Sequence, residues 1–171
     1  MKTKLILLGL TILTILTNSC DESSNNNPES VETFIGLLRS NQYNSINLPA
    51  FRPQDIPALL DYRNETQMIS NYPRNPISSF SGPECSLGMY VLWTIESIRV
   101  VPTNNPLTQR FPSQNPVLAL RDQGELRLVS DITSHTIAAK AYYDWWKNNA
   151  HKDFNDFRSV DPLKDTDYKW H

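Results

Sequence analysis

Apolar residues recur at helical spacing in four stretches of the chain. Between Val31 and Ser40, positions Val31, Phe34, Ile35, Leu37 and Leu38 follow the i, i+3/i+4, i+7 stripe of an amphipathic helix. Ser30 stands where its N-cap belongs, and Asn41-Gln42-Tyr43-Asn44 reads as its end. A second helix is predicted after Phe51-Arg52, with Pro53 in the first turn, where a missing N–H costs nothing. An alternative start takes Asp55 as cap and Pro57 in the first turn; either way Ile56, Leu59, Leu60 and Arg63 lie along it, with Leu59 and Leu60 inward. From Leu87 to Val101, Leu87, Val91, Ile95 and Ile98 share a face that Met89, Leu92 and Trp93 widen. A helix apolar on most sides is buried, so this one is expected at the centre. Ser134 to Asn149 is the fourth: Ile137, Ala138, Ala141, Tyr142 and Trp145 form its stripe, Lys140, Asp144 and Lys147 its wet side, and Asp131 or Thr133 its cap.

Between these helices the pattern breaks. Tyr72 to Pro83 contains Pro73, Pro76 and Pro83, each of which removes a donor and biases the preceding residue toward extended backbone. It reads as an ordered loop pinned by Tyr72, Ile77 and Phe80. Pro102 to Pro116 is a second irregular stretch. Then Val117–Arg121 and Leu126–Val129 flank Asp122-Gln123-Gly124-Glu125, a four-residue connection with Gly that fits a β-hairpin; the competing reading is one helix broken at Gly124. The tail beyond Ala150 is polar, with Phe154, Phe157, Tyr168 and Trp170 as docking points.

The N-terminus has a different grammar. Lys2 and Lys4 precede an apolar run, Leu5 to Leu16, and Ser19-Cys20 follow. A charged segment, a short apolar core and a small residue before the cut make a secretory signal, and a cysteine at the cut makes it a lipoprotein signal. Thr17 stands where the commonest form has Leu. The run of about twelve apolar or Thr residues falls short of the roughly 20 needed to span a bilayer. Residues 1–19 are thus expected to be removed and Cys20 acylated, anchoring the protein to the membrane. Residues 20–30, lipidated Cys20 and the polar Asp21–Ser30 behind it, would form a flexible tether with a reach of roughly 17 Å. Asp21-Glu22 reads equally as a sorting signal or as plain solubility.

Composition narrows the function classes. The net charge is −2, and loss of Lys2 and Lys4 takes it to −4. With no basic block, nucleic acid is not an expected partner. Residues 31–171 suffice for one domain with a genuine core. Once Cys20 carries lipid, Cys85 stands alone and no intrachain disulfide can form. Cys85 is then either a thiol activated at a helix start or a small buried hydrophobe.

Three stretches carry a resemblance: Asp55-Ile56-Pro57-Ala58-Leu59-Leu60-Asp61-Tyr62, Asn71 to Ser79, and Glu84 to Arg99, together with Ala141-Tyr142-Tyr143-Asp144-Trp145-Trp146. The set resembles small uncharacterised lipoproteins of gut-type Gram-negative bacteria, domains of unknown function with a HEAT-like helical body. The resemblance implies a mainly α fold, a helical bundle or α-α superhelix with a small β-hairpin. It implies no activity and transfers no functional residue, and no regular repeat period is visible.

Candidate chemistry is sparse. Asp131 and His135, four apart, could share a helix face as metal ligands, but Asp131 also suits the cap; His151, Asp153 and His171 add no ligand spacing. No G-x-S-x-G elbow is present. Glu96 lies in the most apolar helix, where an ionised carboxylate is costly unless paired. Arg99, three residues on, is the expected partner in a structural ion pair, and Arg74 in the Pro-rich loop could also reach Glu96, the pairing then pinning that loop to the central helix. The alternative is a glycosidase-type acid, which needs a second carboxylate that the sequence does not name. Tyr143 and Trp146, three apart, read as an exposed aromatic patch, and with Arg74-Asn75 they form the candidate binding surface. The four Trp and seven Tyr could stack on sugar rings or simply fill the core. The expectation is a non-enzymatic accessory or interaction protein at the outer membrane, facing the periplasm or the outside, with an envelope protein or a glycan as partner. A carbohydrate-binding module is the alternative and a glycan hydrolase using Glu96 the third. No cofactor or metal is expected.

Overall fold

The computed structural model describes residues 28, 30–79, 82, 84–101, 111–121 and 124–171. The leader 1–19, Cys20 and nearly all of the tether 20–30 lie outside these residues, as do Phe80 and the hairpin-turn residues Asp122-Gln123.

Helix α1 (Val31–Arg39) begins at Ser30, whose hydroxyl accepts the Thr33 N–H at 3.2 Å, and buries Val31, Phe34, Ile35 and Leu38. It ends where the sequence breaks. Asn41 adopts a left-handed φ of 55°, Asn41 N–H donates to Leu38 O and Gln42 N–H to Leu37 O, a Schellman closure built on Asn rather than Gly. The Asn41 carboxamide then accepts from the backbone of Ser70 and Asn71, so the cap also fastens a distant segment. The proline-led start comes as both alternatives in sequence: a 3₁₀ turn (Pro53–Asp55) runs into α2 (Ile56–Asp61).

β1 (Met68–Ile69) pairs antiparallel with β2 (Cys85–Ser86), which leads directly into α3 (Leu87–Val100). Ser86 caps α3 by accepting the Met89 N–H. Every α3 residue from Leu87 to Ser97 is buried. Fully burying each large aliphatic side chain contributes about 1.5–3 kcal/mol, so this helix is the axis around which the core assembles.

α4 (Ile132–Asn149) lies beside α3 and runs the same way. Gly88 sits against His135 near both starts, Glu96 meets Tyr142, and Arg99 reaches Arg158 past the end of α4. An added Cβ at Gly88 would stand 2.5 Å from Arg63 O and 2.6 Å from His135 Nε2, so the close approach requires glycine.

Two small antiparallel sheets overturn the mainly α, HEAT-like fold class expected from sequence. The described residues are 42% helix and 9% strand, a mixed α/β arrangement. β3 (Leu118–Leu120) and β4 (Leu128–Val129) form the hairpin, Leu118 opposite Val129. β5 (Tyr168–Trp170), from the polar tail, pairs on the other edge of β3, Leu118 opposite Trp170, giving the order β4-β3-β5. Short strands with one half-buried face leave little periodic signal, and the pairing of β3 with β5 spans some fifty residues, so local pattern favours helix.

The tail is anchored throughout. α5 (Phe154–Phe157) puts Phe157 into an aromatic cluster with Trp145 and Trp146, and Leu163 is fully buried. In the Tyr72–Pro83 loop, Tyr72 is buried as expected, but Ile77 is 79% exposed. Polar side chains hold the loop instead: Asn75 donates to Ser113 O at 2.9 Å and Ser78 to Asn115 Oδ1 at 2.8 Å. Among the described residues, no helix is long and apolar enough to cross a membrane.

Candidate functional site

Two polar constellations flank α4, one closed and one open. The closed one is a chain of buried hydrogen bonds. Arg99 clasps Glu96 with two donors, Nε to Oε2 at 2.8 Å and Nη2 to Oε1 at 2.5 Å. The Tyr142 hydroxyl donates to Glu96 Oε2 at 2.6 Å and accepts the Trp170 indole N–H at 2.7 Å. Arg99 Nη1 continues to Arg158 O, while Arg158 Nε returns to Arg99 O. The network ties α3, α4, the segment after α5 and β5 together. Burial first, then the neighbouring Glu96 carboxylate, pushes the Tyr142 phenol well above its ordinary range, and its hydrogen bonds with Glu96 and the Arg99 charge act after these. Both oxygens of Glu96 are occupied and the residue lines neither described cavity, so nothing in this geometry favours an acid role for it.

The open constellation is a groove of about 520 Å³ between α4 and the loop that follows α5, within the size range of small-ligand sites. On its α4 wall Ile137, Lys140, Ala141, Asp144 and Asn148 share one face by their 3, 4, 7 and 11 spacing from Ile137, and Trp145 and Asn149 border that face. The expected stripe of α4 therefore divides: Ala138, Tyr142 and Trp145 go inward with His135 and Ala139, while Ile137 and Ala141 look onto the groove. The opposite wall is Val160 to Thr166. Asp161 shapes it by accepting the Leu163 N–H at 2.8 Å, and Thr166 N–H closes on Leu163 O. Arg121 braces the wall from behind, donating to Asp161 at 3.2 Å, Leu163 O at 3.2 Å and Tyr168 O at 2.7 Å.

Each carboxylate of the groove has a cation beside it: Asp144 has Lys140, Asp165 has Lys164 at 3.8 Å, and Asp161 has Arg121 behind the wall. Asn149 is spent on its own helix, donating to Trp145 O and accepting from Lys152. Asn148 is exposed at the rim. Trp145 lines the groove at 6% exposure, and its indole N–H is buried without an acceptor, an arrangement that costs about 1–3 kcal/mol.

The residues singled out from sequence fall elsewhere. Arg74 packs its guanidinium 4.5 Å from the Tyr72 ring centre and donates to Gly82 O; it does not meet Glu96 in any described contact. Arg74 and Asn75 line a second cavity of about 10 Å³, room for about one water. Tyr143 is 39% exposed, with Arg63 stacked over its ring at 4.4 Å. Trp146 is half-buried against Trp145 and Phe157. Helical geometry places Tyr143 and Trp146 on the flank of α4 away from the groove, and none of the four residues lines it. None of the four Trp is exposed: Trp93 and Trp145 are core, and Trp146 and Trp170 are half-buried.

Cys85 is a sealed thiol. Burial pushes it up to about 12, against smaller opposing effects of the Tyr72 hydrogen bond and the Arg74 charge, so it is not an activated nucleophile. Asp131 caps α4, accepting the Ser134 N–H at 2.9 Å, and backbone donors there hold its carboxyl below the usual carboxylate range. His135 Nε2 meets Arg63 O at 2.8 Å; a carbonyl can only accept, so that nitrogen carries a proton and points away from any ligand role. Among the described residues, no three His, Cys, Asp or Glu side chains converge as metal ligands.

The far wall of the groove escaped sequence reading because it has no period. Its available signals were Asp161-Pro162, a turn opener, and Leu163 as a lone apolar residue behind it.

No curated protein matches this chain, and no solved structure does. Residues 24–171, the whole of the described body, match the family described as a domain of unknown function (DUF4943), and the chain belongs to that family.

Proposed function

We propose that this protein is a lipid-anchored, non-enzymatic recognition module of the bacterial cell envelope, and that its working surface is the groove between α4 and the Val160–Thr166 loop. The address rests on the sequence: Lys2, Lys4, the apolar run and Ser19-Cys20 have the form of a lipoprotein signal, and Asp21–Ser30 that of a tether. An outer-membrane position, and an origin among gut-type Gram-negative bacteria, belong to the same reading.

The observation that carries a binding role is the charge pairing of the groove. Three carboxylates are each matched to a cation, which leaves hydrogen-bonding groups on display without a free base or nucleophile among them. Glu96, the remaining acid of interest, is closed off behind Arg99 and Tyr142.

A photo-crosslinking amino acid at Asn148, on the groove rim, tests this in intact cells. A control carries it at the exposed Ile77 in the Pro-rich loop. Envelope material cross-linked from Asn148 and not from Ile77 is expected. Equal adducts from both, or none from Asn148, would end the assignment of this surface. In parallel, Cys20→Ala is expected to move the protein from the membrane to the soluble fraction; an unchanged distribution would remove the anchor.

A further inference from the structure

We infer that the groove takes a neutral, polyhydroxylated ligand, a short saccharide segment, held by the paired charges of its two walls. The inference rests on the recognition role proposed for the groove and names the ligand class for that same surface.

Charge balance comes first. Lys140 and Lys164 line the groove with Asp144, Asp161 and Asp165, and Arg121 pairs with Asp161 from behind the wall, so an anionic ligand meets three carboxylates and a cationic one meets Lys140 and Lys164. Either would have to break pairs already made. A hydroxyl meets no such conflict. It donates its proton to a carboxylate and accepts from an ammonium or amide through a lone pair, so one sugar hydroxyl can bridge Lys140 and Asp144 without separating them. Adjacent hydroxyls on a ring can likewise share the two oxygens of one carboxylate.

Shape is second. Ile137, Ala141, Val160 and Pro162 supply apolar contacts between the charged groups, which suits the C–H faces of a sugar ring. This platform differs from a stacked Trp, since Trp145 is buried at the side of the groove. A peptide is the less fitting occupant. The α4 wall spends its backbone groups within the helix, so it offers no strand edge to an extended chain, and the apolar surface is shallow and interrupted by charge.

Isothermal titration of the full-length protein with short neutral gluco-, manno-, xylo- and galacto-oligosaccharides tests the inference, with oligogalacturonate as the anionic control. At least one neutral series is expected to bind, with affinity little changed by salt. The double variant Lys140→Ala/Asp144→Ala, an exposed pair, should weaken it about tenfold or more. Ala141→Arg, which fills the groove, should abolish it, with circular dichroism confirming the fold. Preference for the charged oligomer, binding untouched by both variants, or no binding by any saccharide would each overturn the inference. Cross-links from Asn148 to an envelope protein, with no saccharide bound, would discard the sugar and leave the recognition surface standing. Absence of any adduct would discard both.

Discussion

α4 has a carboxylate–cation pair on either side, one held on α3 and one on its own surface, and the two behave differently because the first is buried. On the inner side Glu96 and Arg99 are under a tenth exposed, hydrogen-bonded by Tyr142 and closed by Trp170. On the outer side Lys140 and Asp144 form an exposed pair at the edge of a groove. Removal from water makes charges expensive and so commits them to fixed partners. Left wet, the same groups are cheap to hold and easy to share with a ligand. A buried ion pair is therefore the poorer guide to function here, although it is the one that stands out in an apolar helix.

The comparison breaks most sharply at Arg99. Arg99→Met leaves Glu96 as a buried, unmatched carboxylate, and unfolding in denaturant should show a loss of about 3–5 kcal/mol. Replacing both partners at once, Glu96→Leu with Arg99→Met, should recover much of that loss, because neither charge then remains to be desolvated. If the single variant unfolds at the wild-type midpoint, the network is not dry and the contrast between the two sides collapses.

Cys85 measures the same dryness without disturbing the network. With its thiol pushed up to about 12, the thiolate at pH 8 is on the order of a thousandfold scarcer than in free cysteine. Alkylation by iodoacetamide should be correspondingly slow in the folded protein and fast in denaturant. The folded-state value is raised above the unfolded one, so the stability that Cys85 confers is complete below the ordinary thiol range. It declines as pH rises from there toward 12. Rapid alkylation under native conditions would show the β1–β2 region opening readily.

Gly88→Ala tests the joint between α3 and α4 on which both sides depend. The new methyl would meet Arg63 O, a backbone atom that cannot swing aside, and the His135 ring that Arg63 O itself holds. A loss of about 1–3 kcal/mol is expected from thermal or chemical unfolding. A neutral result would mean the helices separate at little cost.

What could be read from sequence divides along the same line. The four helices, their caps at Ser30 and Asp131, and the hairpin were legible because each is set by residues within a few positions of one another. The Glu96 and Arg99 pair was legible because charge in an apolar period is conspicuous. The third strand was hidden, since Tyr168-Lys169-Trp170 becomes a strand only through pairing with Leu118–Leu120 some fifty residues earlier. The groove was hidden for a related reason. Lys140 and Asp144 read as an ordinary wet face until Val160–Thr166 folds against them, and Ile137 and Ala141 read as core for want of that wall. The expected aromatic patch lies on another flank of α4: Tyr143 is 39% exposed beneath Arg63, and Trp146 is half-buried against Phe157.

The smallest expected effect separates the two sides most cleanly. The Lys140–Asp144 pair is exposed, spaced i, i+4, and has the cation on the N-terminal side, the weaker orientation on a helix. Lys140→Ala/Asp144→Ala should therefore cost no more than about 0.3–0.5 kcal/mol in unfolding experiments, partly offset by the better helix propensity of Ala. The same double change removes a donor and an acceptor from the groove, so its consequence for bound ligand should far exceed its consequence for stability. Arg99→Met should show the reverse, a large stability loss with ligand affinity kept in whatever fraction remains folded. If Lys140 and Asp144 prove to matter for stability and not for binding, the outer side is scaffold like the inner one, and the contrast across α4 is lost.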